Sequence, residues 1–179
     1  MFKGYNRMGN TMGSTGKFNV QALPDGTKEN IITALYVGFI LILLAVLYFV
    51  NVHTNLWGSF INFLSNFILA TVPGTSISLP APLNPSAFIN LYNVAFQFCL
   101  GLGLLEIAIL ALRIWFSSPF PRKAETIENI VFWLGTSYLV VTYLVNITIP
   151  SEWFVFWAGI ILIAGLSLVA RAFVLMAKR

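Results

Sequence analysis

Apolar residues occupy this chain in long blocks, without the polar interruptions expected every second residue in a half-buried strand or every third or fourth in a surface helix. Residues 31–50 are almost purely Ile, Leu, Val, Ala, Phe and Tyr, close to the roughly 20 residues with which an α-helix crosses a hydrocarbon layer of about 30 Å. Comparable blocks cover residues 88–116, 130–149 and 153–176. The second exceeds the membrane thickness and must tilt or project beyond it. Only Pro150, Ser151 and Glu152 separate the last two, which therefore form a tight antiparallel hairpin. The first block follows a polar stretch and has no small-residue cleavage site after it, so it is expected to remain as a helix. The pattern predicts an all-α integral membrane protein built as a four-helix transmembrane bundle, within a four-span membrane domain over residues 31–179.

Between the first two blocks the periodicity changes. Over residues 55–71, at roughly 100° per residue, Trp57, Phe60, Ile61, Phe63, Leu64, Phe67 and Ile68 share one face and Asn55, Ser59, Asn62 and Asn66 the other. This predicts an amphipathic outer helix. Its polar face lacks the Lys and Arg of a membrane-surface anchor, so it is expected to pack on its own helices or on a partner. Residues 72–87 contain Pro80, Pro82 and Pro85, which rule out regular helix and predict an outer loop. The order helix, short helix, Thr71-Val72-Pro73-Gly74 turn, helix resembles the outer helix, pore helix, filter and inner helix of tetrameric cation channels. The resemblance covers only a few residues: Pro73 breaks the run of carbonyls that a filter needs and the second glycine-containing half is missing, which leaves an interfacial cap as the expected role.

Composition and charge place these elements. Of the 179 residues 58% are hydrophobic and 9% charged, against about 25% charged in an average soluble domain. The net charge of +4 does not mark a nucleic-acid binder, because the ten Lys and Arg are scattered beside apolar blocks. Lys3, Arg7, Lys17 and Lys28 precede the first span, Arg113, Arg122 and Lys123 flank the loop after the second, and Arg171, Lys178 and Arg179 end the fourth, whereas residues 51–87 and 150–152 carry none. Cytoplasmic loops retain such residues, so both termini are expected inside, in an N-in/C-in arrangement at a cell membrane. Residues 1–30, rich in Gly, Asn, Thr, Ser and Met, read as a flexible cytoplasmic tail. Its run from Gly9 to Lys17 fails as a phosphate loop, with Thr11 and Phe18 where Gly and Ser or Thr are required.

Candidate chemistry is sparse. Glu106 is the one acidic residue well inside a span. Arg113, seven residues on, lies about 10 Å along the same helix, and Arg171 near the end of the fourth span is the better candidate to pair with Glu106 if those helices meet. Such a group either fixes helices together or handles protons or cations. Asn90, Asn93 and Gln97 line one face of the second span, continued by Gly101, with Cys99, Gly103 and Glu106 opposite. Gly135, Tyr138, Thr142 and Asn146 form a stripe on the third, of the small and hydrogen-bonding kind through which helices associate in lipid. One His, His53, and one Cys, Cys99, cannot supply a two-histidine haem or a four-cysteine cluster. Glu125 and Glu128 read as a dipole-favoured helix start, and Asn146-Ile147-Thr148 is a glycosylation acceptor set too near the membrane to be used. No independent enzymatic activity and no cofactor is expected, apart from bound lipid. Two functions follow: a non-catalytic structural or accessory subunit packed against other membrane subunits or copies of itself, and, as the alternative, a small ion or solute channel or transporter using Glu106 and the polar faces of the second and third spans.

Overall fold

A computed structural model describes residues 24–147 and 151–177. The tail before Pro24 with its Gly-rich run, Thr148 of the glycosylation acceptor, Pro150, Lys178 and Arg179 lie outside the described residues. The protein is mostly helical, and four helices are long and apolar enough to cross a membrane.

Helix α1 spans Asp25–Val50 and so begins six residues before the apolar block. The Pro24 carbonyl accepts hydrogen bonds from the Thr27 and Lys28 amides and closes its first turn. Helix α3, Ile89–Trp115, follows a single 3₁₀ turn at Pro85–Phe88. Ser117 takes a left-handed φ of 54° to reverse the chain, and α4 then covers Phe120–Val140, ten residues ahead of the boundary expected from hydropathy. Pro119 and Pro121 set that start, since a proline in the first turn lacks only an amide that would have no partner there. The apolar block marked the part of α4 that hydrocarbon would cover, and its polar first turns continue the helix beyond it. A π turn at Val141–Val145 ends α4, held by Asn146 Nδ2 donating to the Val141 carbonyl at 2.9 Å. Helix α5 is Glu152–Met176.

The outer segment corrects the purely helical reading. Helix α2 covers only Leu56–Ser65, with the Asn55 side chain accepting from the Gly58 amide at its start. Phe67–Thr71 is instead strand β1, paired antiparallel with β2 at Ser78–Pro82, so that Phe67 stands opposite Pro82 and Thr71 opposite Ser78. The Val72 amide bonds to Ile77 O and the Leu83 amide to Asn66 O, each at 2.9 Å. By alternation the other bonded pairs are Ile68 with Ala81 and Ala70 with Leu79. Pro80 and Pro82 thus occupy positions where the ladder asks for no N–H, which is how a strand with two prolines can pair at all. The Thr71–Gly74 run that resembles a channel filter forms the start of this hairpin's turn, with Gly74 at φ 76°.

Close contacts between helices occur at glycines. A Cβ on Gly101 would strike Leu43 of α1, on Gly103 Leu134 of α4, on Gly135 Ile163 of α5, and on Gly159 Leu139 of α4. Helix α3 therefore lies between α1 and α4, and α4 between α3 and α5. Away from these contacts large apolar side chains face outward, Leu41 at 62% and Ile161 at 75% exposure among them. In water such a surface would aggregate; against lipid it costs nothing.

Candidate functional site

Charged and amide side chains gather where the start of α1, the end of α3, the start of α4 and the end of α5 meet. Glu106, in the second half of α3, is only 2% exposed. Asn129 of α4 donates to its Oε1 at 2.9 Å, and the Tyr36 hydroxyl of α1 faces the same carboxyl. Burial of a carboxyl among helices is tolerable only with such donors.

Arg113 does not pair directly with Glu106. It reaches Glu29 of α1 at 3.7 Å, the Arg122 carbonyl at 2.6 Å and the Thr126 hydroxyl, so one guanidinium joins α1, α3 and α4. Arg171 meets Glu128 of α4 at 3.0 Å; its expected contact with Glu106 is replaced because α5 packs on α4 and not on α3. Arg122 pairs with Glu125 one turn on, at 3.1 Å. Glu125 and Glu128, read from sequence as a dipole-favoured start, are thus ion-pair partners. A small cavity of about 130 Å³ lies beside this cluster, lined by Thr33 and Tyr36 of α1, Glu106 and Arg113 of α3, and Glu125 and Asn129 of α4.

The polar stripes divide. Gln97 accepts from Asn51 Nδ2 at 3.2 Å and ties α3 to the last turn of α1, while Asn93 is half-buried and Asn90 exposed. On α4 Gly135 is a contact point with α5 and Thr142 is half-buried in the π turn. Tyr138 points outward at 66% exposure, and Asn146 bonds within its own turn. The α4 side chains buried beside them are Thr136, Ser137, Leu139 and Val140, a face shifted by about one residue from the expected stripe.

At the opposite end the outer amphipathic face is brought together only in part. Phe63 sits edge-on to Phe67 at 5.0 Å, Phe88 at 5.2 Å and Trp153 at 6.0 Å between ring centroids. Trp153 Nε1 donates to Pro80 O at 3.2 Å, which fastens the hairpin to the start of α5. Trp57 and Leu64 face outward at 74% and 53% exposure, and Phe60 at 41% stacks on Trp57 at 6.1 Å. Sequence reasoning missed Asn129, Tyr36, Glu29 and Glu128 as partners. The first signal available was spacing: Glu125, Glu128 and Asn129 recur at three and four residues, the polar face of a helix.

Among the described residues no three His, Cys, Asp or Glu side chains come close enough together to hold a metal ion. Comparison of the chain with protein-family models, with curated proteins and with solved structures finds no match in any of the three.

Proposed function

We propose that the protein is a non-catalytic structural or accessory subunit of a membrane complex, a four-helix bundle with both termini cytoplasmic that packs against other membrane subunits or copies of itself. The observation that carries this reading is how the polar groups of the helices are used. Glu106, Arg113, Asn129, Glu128 and Arg171 are engaged in ties between the protein's own helices, whereas α1 and α5 turn outward apolar faces in which Gly38 and Gly165 leave open notches. Small residues on an apolar helix face allow another helix to approach closely. The orientation rests on Lys and Arg residues at the clustered end and on their absence from residues 51–87.

Native mass spectrometry after gentle solubilisation tests assembly. The expected result is the chain in a complex, lost on Gly38→Leu or Gly165→Leu with the helical spectrum retained; a stable monodisperse monomer from native-like lipid refutes the reading. Cysteines placed at the exposed positions Ser78 and Pro121 are expected to label from opposite sides of the membrane, and labelling from one side refutes the orientation. The cavity beside Glu106 favours a second reading, a small ion or solute channel or transporter. It requires a flux in proteoliposomes that Glu106→Gln alters, and no flux above empty vesicles eliminates it.

A further inference from the structure

Beneath α2, at the end of the helices away from the charged cluster, lies an apolar cavity of about 530 Å³. Leu47 of α1, Phe60 and Phe63 of α2, Ala95 and Phe98 of α3 and Trp153 of α5 contribute to its wall. So does Tyr92, 3% exposed, whose hydroxyl is buried without a hydrogen-bond partner. We propose that this cavity is a binding site for one hydrocarbon chain of a bilayer lipid with no net negative charge, and that an ester oxygen of that lipid accepts a hydrogen bond from Tyr92.

Chemistry selects the occupant. Ordered water needs two to four polar partners, and apolar cavities of even about 150 Å³ stay dry. A peptide segment inserted there would bury backbone amides and carbonyls with nothing in the wall to receive them. A hydrocarbon chain brings no such groups. At roughly 30 Å³ per water-sized group, the volume corresponds to about eighteen of them, one lipid chain.

Position selects which part of the lipid lies where. Tyr92 is in the first turn of α3, level with the bilayer boundary, and Phe98 lies about 9 Å deeper at 1.5 Å per residue. A chain lying along α3 therefore places the ester at its root by the Tyr92 hydroxyl, which is buried and unpartnered, whereas the other tyrosine of the wall, Tyr48, is 63% exposed. The headgroup would meet residues 51–87, which hold no Lys or Arg, so nothing there favours an anionic lipid.

The test uses the full chain in vesicles of equal phosphatidylcholine and phosphatidylglycerol, gently re-extracted and weighed by native mass spectrometry. One phosphatidylcholine per chain is expected to remain bound. Ala95→Phe and Val94→Phe, at two positions that line the cavity, are expected to fill it and lose the lipid, with folding followed by circular dichroism. Tyr92→Phe removes an unpartnered hydroxyl and so keeps the fold; it is expected to weaken retention roughly two- to tenfold, the worth of one hydrogen bond. No retained lipid, equal retention in both filled variants, or a partner protein in place of lipid overturns the site. Unchanged retention in Tyr92→Phe overturns the ester contact, and a preference for phosphatidylglycerol overturns the headgroup assignment. The accessory-subunit reading can fail while this site stands, because neither rests on the other.

Discussion

Removing Asn129 tests whether Glu106 holds the helices together. In Asn129→Leu the Glu106 carboxyl, 2% exposed, loses the donor that reaches it at 2.9 Å. A buried polar group deprived of its partner costs about 1–3 kcal/mol. Glu106→Leu leaves the half-buried Asn129 amide alone, a neutral group nearer the helix start, for which about 1 kcal/mol is appropriate. The double variant replaces both by apolar side chains of similar size and is expected to be little worse than Glu106→Leu. The coupling energy then equals the Asn129→Leu effect, about 1–3 kcal/mol, and its lower end lies between the average of about 0.6 and the maximum of about 1.7 found for interhelical hydrogen bonds in lipid. Reversible unfolding in mixed micelles, followed by circular dichroism, gives the four stabilities. Single effects that add to within about 0.3–0.5 kcal/mol refute the tie. A double variant that keeps both stability and its complex also separates the two functional readings, since a transporter relying on Glu106 would have lost its flux.

Three further outcomes follow from the same contacts. Gly103→Val drives its Cβ into Leu134 Cδ2 with the Leu134 amide 3.4 Å away, and is expected to cost about 1–3 kcal/mol in the same unfolding measurement; Gly165→Val, with nothing within 4 Å, should leave the isolated chain's stability nearly unchanged. Trp153→Phe loses the bond to Pro80 O, about 0.5–1.5 kcal/mol, and is expected to speed amide exchange in both hairpin strands while α3 and α4 keep their protection. Arg113→Gln is expected to destabilise more than Arg171→Gln, because Arg113 is 14% exposed with contacts on two other helices, whereas Arg171 is 44% exposed and its single pair is worth no more than about 1 kcal/mol. Equal losses would show that burial does not decide their contributions.

The four long helices were legible because lipid imposes a length and a composition on any segment that crosses it. The same criterion misplaced the helix starts at Asp25 and Phe120, since hydropathy reports the solvent around a segment and backbone hydrogen bonding runs on past the boundary. Residues 67–71 were ambiguous for another reason. Phe67 and Ile68 continue the 100° pattern of α2, but Phe-Ile-Leu-Ala-Thr before a Pro-Gly turn also suits a strand. Its pairing with a segment holding two prolines depends on which edge of that segment is presented, and periodicity does not show this. Glu106 was legible as a buried charge, while its partner was not. Identifying Asn129 required knowing that α4 begins early enough to bring a residue from the polar stretch alongside α3.

The two ends of the molecule hold together by different physics, and the difference explains where a ligand can enter. At the charged end each tie is directional: a change of one side chain leaves a named atom unpartnered, and the cavity there is only about 130 Å³. At the opposite end α2, the hairpin and the first turns of α3 and α5 meet through rings such as Phe63 and Trp153, with Asn51 to Gln97 and Trp153 to Pro80 as polar links. Aromatic contacts are less exacting about position than charge-assisted hydrogen bonds, so these elements can cover an apolar space of about 530 Å³ without closing it. Rigid polar ties at one end and an adaptable apolar cap at the other would suit the proposed accessory subunit, which has to keep its own helices in register while accepting the proposed lipid at the opposite end.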